Sequence, residues 1–370
     1  MAPIRILVVD DSAVIRKVLS DTLAEDRALE VLGTASDGRL ALDKIPLLKP
    51  DLITLDVEMP VMDGLETLAL VRKLYPKLKV IMFSALTERG AAATLDALAL
   101  GASDYVTKPS QTGSPAVAIE RIRIELIPKI KALCGIAPPE VLRLPQPRSP
   151  SKVRERSNGR IDIVAIGTST GGPNALAEVL PKIPYDFPVP IVVVQHMPPI
   201  FTRLLAERIS FRSAIRVAEG SADALLSPGC AWIAPGDFHM KVAQRGGKRH
   251  LHLDQGPREN SCRPAVDVLF RSVVTAYGAN VLAVVMTGMG SDGLLGAQEI
   301  CDAGGEVIIQ DEASAVVWGM PGAVRTSGLD DGAYPLDRLA AEITRRVRQS
   351  GVPGIPVEVA SGAILEPPAK

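Results

Sequence analysis

Along the first 130 residues the chain alternates two hydrophobic patterns. Short, mainly apolar stretches at 4–9, 29–35, 51–56, 79–84 and 103–108 suit strands buried on both faces. Between them, apolar positions recur at helical spacing. One such stretch opens after Ser12, a good N-cap, one follows Gly64, and one ends at Gly101, where a glycine can close a helix. Five strand–helix units predict a flavodoxin-like, five-stranded, doubly wound parallel sheet. Its right-handed crossovers would place ligands at the carboxyl ends of the strands.

After Arg160 the strand pattern resumes at 161–167, 189–196, 214–219, 230–235, 239–244, 249–255, 280–288 and 305–310. Helical patterns occupy 174–180, 200–210, 266–277 and 293–303. These predict a second α/β domain, a parallel sheet with a β-hairpin around APGDFHMKV (234–242). The stretch between the domains is rich in proline and arginine and has no apolar period, so it reads as a semi-extended linker. The organisation expected is a first domain at 1–130, a linker at 131–159, a second domain at 160–349 and a flexible tail at 350–370.

Composition narrows the functional classes. The 370 residues are 47% hydrophobic and 22% charged with a net charge of -1, which suits two soluble cores and gives no basic excess for general DNA binding. The longest apolar runs fall well short of the roughly 20 residues that a membrane span requires. The N-terminus reaches acidic residues after one strand's length with no signal-peptide core, so a cytoplasmic location is expected. Cys134, Cys230, Cys262 and Cys301 lie far apart with no CxxC pair, which points to reduced thiols.

Chemistry-bearing residues cluster at the expected strand ends of the first domain. Asp10 and Asp11 end the first strand, Asp56 the third, Ser84 the fourth and Lys108 the fifth. Three carboxylates on one rim repel unless a cation neutralises them, and a hard divalent ion with oxygen ligands does so. A carboxylate nucleophile, a metal, a hydroxyl and a lysine together can accept a phosphoryl group. The stretches VVDDS, TLDVEMPVMDGL, FSAL and DYVTKPS resemble those of bacterial response-regulator receiver domains. That resemblance implies that Asp56 is the phosphoacceptor. It implies that Mg²⁺ is held by Asp10, Asp11, Asp56 and the main-chain carbonyl of Glu58. It also implies that Ser84 and Lys108 contact the phosphoryl group and that Tyr105 is the switch aromatic. The domain has no histidine, so the phosphodonor is expected to be a separate histidine kinase.

In the second domain, VAIGTSTGGPNAL (164–176) runs from an apolar strand through glycines into helix-forming residues. A tight strand-to-helix corner, a phosphate loop and a nucleophile elbow are the three readings of this stretch. Neither the Walker lysine nor G-x-G-x-x-G spacing is present, whereas GTSTG fits G-x-S-x-G with Ser169 at its centre. All four histidines lie in this domain: His196 ends an apolar strand, His239 follows the expected hairpin turn, and His250 and His252 share the polar face of a strand. Asp292 lies in a glycine-rich loop after another buried strand. Ser169, His196 and Asp292 thus each follow a separate strand, as a serine, its base and an orienting carboxylate would.

The stretches GTSTGGPNAL, VVVQHMPPIFT, WIAPGDFHM, RPAVDVLF and MTGMGSDGLLGA resemble the catalytic domain of the chemotaxis protein-glutamate methylesterases. The resemblance implies Ser169 as nucleophile, His196 as base, Asp292 as its partner, and main-chain donors at Thr170 and Met289 as the oxyanion site. It implies hydrolysis of glutamate methyl esters on chemoreceptors, with release of methanol, no metal in that step, and deamidation of receptor glutamines as a second activity. Phosphorylation of the receiver would relieve its obstruction of the catalytic rim. Neither DNA nor membrane insertion is expected among its interactions.

Overall fold

The computed structural model describes residues 2–108, 119–120, 122–136 and 159–351. The greater part of the expected linker and nearly all of the expected tail lie outside the described residues.

The first sheet has the order β2-β1-β3-β4-β5, all parallel, with β1 at Ile4–Val9, β2 at Leu29–Ala35, β3 at Leu52–Asp56, β4 at Lys79–Ser84 and β5 at Asp104–Thr107. Helices α1 (Ala13–Ala24), α2 (Gly38–Leu48), α3 (Gly64–Leu74) and α4 (Glu88–Ala99) connect successive strands. Ser12 caps α1 by accepting from the Ile15 N–H, and Asp63 forms a capping box with Glu66 at the start of α3. Gly101, at φ +103°, turns the chain out of α4 in the left-handed region.

The second sheet has the order β14-β13-β12-β6-β7-β9-β8, also parallel. Its strands are β6 (Ile163–Thr168), β7 (Ile191–Gln195), β8 (Arg216–Glu219), β9 (Cys230–Ile233), β12 (Val281–Val285), β13 (Glu306–Gln310) and the short β14 (Ala333–Tyr334). Alternation along β6 sends Val164 and Ile166 to one apolar layer and Ile163 and Ala165 to the other, so helices cover both faces. A separate antiparallel pair, β10 (His239–Arg245) and β11 (Lys248–Asp254), turns at Gly246–Gly247. The hairpin therefore lies one element later than APGDFHMKV suggests. The 234–238 portion instead carries the chain from the main sheet into β10, with Gly236 so close to Pro199 that a Cβ would lie 2.2 Å from its nitrogen.

Close packing also fixes the helix Leu294–Asp302 against Val266–Tyr277. A Cβ at Gly296 would stand 2.4 Å from the Phe270 Cβ. Gly296→Ala is expected to destabilise the protein by about 1–3 kcal/mol through overpacking, read as a lower thermal midpoint.

The two domains are in contact. The Tyr105 and Phe201 rings stack at 4.9 Å with 9° between their planes. The Asn174 amide donates to the Leu98 carbonyl at 2.8 Å, and Arg208 pairs with Asp96 at 2.6 Å. One apolar cluster runs from receiver residues such as Leu95 and Leu98 to Leu176 and Leu205 of the second domain.

Candidate active site

In the first domain the parallel register brings Asp10, Asp11 and Asp56 together, with ligand oxygens all within 4.8 Å of one another. Lys108 Nζ stands 2.9 Å from Asp10 Oδ2 and 2.6 Å from Asp56 Oδ2. Burial first, and then the Asp10 charge, outweigh Lys108 and push the Asp56 carboxyl up to about 6. One ammonium among three carboxylates leaves excess negative charge on an all-oxygen donor set, which fits a hard divalent cation. The Glu58 N–H donates to Asp56 Oδ1 at 3.3 Å, while its side chain turns outward to Arg89. Ser84 is buried and donates to the Gly90 carbonyl in α4 at 3.1 Å. Tyr105 is buried in its stack with Phe201.

In the second domain β6 lies between β7 and β12, so residues following these three strands share one rim. The turn after β6 requires glycine twice. Gly171 sits at φ +79°, and a Cβ on Gly172 would stand 1.9 Å from Gln195 Oε1. Ser169 is tied by its own main chain: its N–H donates to Thr287 and its carbonyl accepts from Gln195 and Gly172. The Thr170 and Met289 main-chain N–H groups meet no hydrogen-bond partner among the described residues, so both remain available as donors.

His196 and Asp292 are joined directly, Nε2 to Oδ2 at 2.7 Å. Asp292 Oδ2 also accepts from the Val266 N–H at 2.7 Å, and Oδ1 from the N–H groups of Asp267 and Gly293. Burial opposes this charge, but His196 and the main-chain donors outweigh it and hold the Asp292 carboxyl at about 2. For His196, burial opposes the charged ring, yet Cys262 and Asp292 hold its pKa above the usual histidine range. The His196 side chain keeps 13% exposure, enough for a reactant to reach it.

No hydrogen bond joins the Ser169 hydroxyl to the ring. Because Nε2 is taken by Asp292, the nitrogen left for a serine is Nδ1, which stands 3.6 Å from Cys262 Sγ. His239 is buried and bonded to the Pro257 carbonyl, while His252 is exposed on β11, so neither belongs to this rim.

Three neighbours were not read as site residues from the sequence, where Cys262 figures only as a reduced thiol. Cys262 and Asn260 belong to a tight turn closed by reciprocal main-chain bonds between Glu259 and Cys262, with Asn260 and Ser261 at φ +51° and +62°. An Asn–Ser pair ahead of Arg-Pro was the available signal for that turn. Asp267, in the first turn of Val266–Tyr277, is buried beside Asp292.

The family model described as CheB methylesterase matches residues 164–343, and that described as response regulator receiver domain matches 6–119. A protein-glutamate methylesterase/protein-glutamine glutaminase of Trichodesmium erythraeum (strain IMS101) is 52% identical over 351 residues, 94% of this chain and 100% of the relative. One of the same description from Nocardioides sp. (strain ATCC BAA-499 / JS614) is 49% identical over 94% of this chain and 96% of its own length. Among solved structures, the Thermotoga maritima CheB methylesterase catalytic domain is 41% identical, covering 50% of this chain and 98% of its own, at a TM-score of 0.49. Because these relatives extend across both sheets and match nearly end to end, the chain belongs to the CheB methylesterase family, joined to a response-regulator receiver domain.

Proposed function

We propose that this protein hydrolyses glutamate methyl esters on chemoreceptors and deamidates receptor glutamines, under control of phosphorylation at Asp56. The observation that carries the reading is the His196–Asp292 bond at the rim where the glycine-built turn presents Ser169. In this reading Ser169 attacks the ester carbonyl and His196 takes its proton through Nδ1. Thr170 and Met289 N–H groups hold the oxyanion, and methanol leaves with the proton from His196. Water then releases the glutamate carboxylate by the same base. A glutamine side chain follows the same course and loses ammonia. The acid–base exchange needs Ser169 and the ring to approach, because the two are not bonded as they stand.

In the receiver, Asp10, Asp11, Asp56 and the Glu58 carbonyl would hold Mg²⁺, which when bound neutralises charge where the phosphoryl group enters. Lys108 and Ser84 would meet the phosphoryl oxygens. A histidine kinase would be the donor, and the setting the cytoplasm, where receptor tails and kinase are accessible; no helix among the described residues is long and apolar enough to cross a membrane.

Control follows from the contact face. Ser84 is bonded into α4, and α4 packs against the helix Gly172–Val179 that follows Ser169. Drawing Ser84 toward a phosphoryl group would loosen α4 from that helix and open the rim. The double variant Arg203→Ala/Arg208→Ala removes the ion pairs to Glu88 and Asp96. It is expected to raise the unphosphorylated rate by about 2–10-fold, the scale of two exposed pairs. The function itself is tested by methanol release from methylated chemoreceptors, with and without Mg²⁺ and a small phosphodonor; absence of release under both conditions would refute it.

A further inference from the structure

Asp292 is not the only acid at the base. Asn260 Nδ2 donates at 2.9 Å to Asp292 Oδ1 and at 2.9 Å to Asp267 Oδ2. A single amide NH₂ has two hydrogens, and here each meets a different carboxylate. The other oxygen of Asp267 accepts the Gly296 N–H at 2.7 Å. The same four-residue turn that delivers Asn260 also delivers Cys262 to the far side of the His196 ring.

We propose that Asn260 and Asp267 are positioning residues for the Asp292–His196 pair: the amide clamps two buried carboxylates together, and the charge on Asp267 sustains the basicity of His196. This rests on the hydrolase reading of Ser169. With Asp267 ionised, both amide hydrogens are held by carboxylates and Asp292 keeps Oδ2 for the ring. With Asp267 protonated, its new O–H donates to the Asp292 carboxylate it faces and draws charge from the oxygens that hold His196. The groups facing Asp267 are Asp292 and, beyond it, His196 with Cys262. Along its own helix stands Arg271, paired with Glu259 and near Glu299. Arg271 is therefore shared among acids and does not neutralise Asp267 alone.

The electrostatics fit this role. Burial first, and then the Asp292 charge, push the Asp267 carboxyl up to about 6. A carboxyl raised in the folded state favours folding while protonated, so its contribution is lost as pH climbs from the ordinary 3.8 through about 6. Keeping Asp267 ionised at neutral pH therefore opposes folding, and a purely structural role would not call for it.

The test uses the full chain. Only four histidines are present, so His196 can be titrated by its ring Cε1–H resonance in the wild type, Asp267→Asn and Asn260→Ala. Both variants are expected to move the His196 titration down by about one pH unit. Both should lower kcat for methanol release, per folded molecule, about tenfold with KM unchanged. Because Asp267→Asn also sets N–H against N–H at Asn260 or Gly296, its thermal midpoint is read alongside and the rate is referred to folded protein. An unshifted His196 titration in both variants, or a kcat loss that only tracks lost folded protein, would overturn the proposal. Ser169→Ala separates the two levels: if it still releases methanol, the hydrolase reading fails while the titration continues to judge the clamp.

Discussion

Ser169→Ala is expected to reduce methanol release from methylated receptors by about 10⁴–10⁶, leaving only what the oxyanion donors and substrate positioning supply. The size of the effect follows from the turn. Gly171 and Gly172 fix the course of the chain that presents Ser169, while Thr168 and Thr287 spend their hydroxyls on main-chain carbonyls. The substitution removes a half-buried hydroxyl with no hydrogen bond of its own, so the fold should hold and the thermal midpoint should barely change. Loss of rate without loss of fold is the signature to look for, measured by methanol release alongside thermal unfolding.

Asp292→Asn carries the second large effect, expected at about 10⁴ in kcat. The wild-type carboxylate accepts on both oxygens, from His196 and Val266 on one side and from Asn260, Asp267 and Gly293 on the other. An amide turns one of those acceptors into a donor, and either orientation sets N–H against N–H. The ring loses its anchor or the loop loses its cap. Asparagine should also cost about 1–3 kcal/mol through the stranded buried donors. That stability difference should shrink at low pH. The native carboxyl is held at about 2, below its ordinary 3.8, so its stabilisation is full above about pH 4 and is lost as pH falls through 2. Chemical denaturation of both proteins at pH 7 and near pH 3 reads this directly.

Much of this arrangement is legible in the chain because parallel strands write themselves as apolar runs. The five receiver strands fall where those runs stand, and the residues that end them meet on one rim by topology alone. In the same way β6, β7 and β12 deliver Ser169, His196 and Asp292 to neighbouring strand ends. Helix α2 is less visible, since Pro46 interrupts its pattern near the end. The last helix, Leu336–Gln349, was hidden by its high charge, with only Leu339, Ala340, Ile343 and Val347 of its residues buried. The network around Asp292 was illegible for a different reason. Asn260 and Asp267 reach it through a turn with two left-handed residues and through the first turn of a helix, and neither leaves a periodic trace. The choice of Nε2 for Asp292 depends on ring orientation, which no spacing encodes.

The assignment is tested most directly by asking which side chain becomes covalently modified. A fluorophosphonate that traps activated serines is incubated with the full chain, and the adduct is located by peptide mass spectrometry. The adduct should sit on Ser169 and should form far more slowly in His196→Ala. An unmodified Ser169 in protein that still releases methanol, or labelling indifferent to His196, would contradict the mechanism at its root.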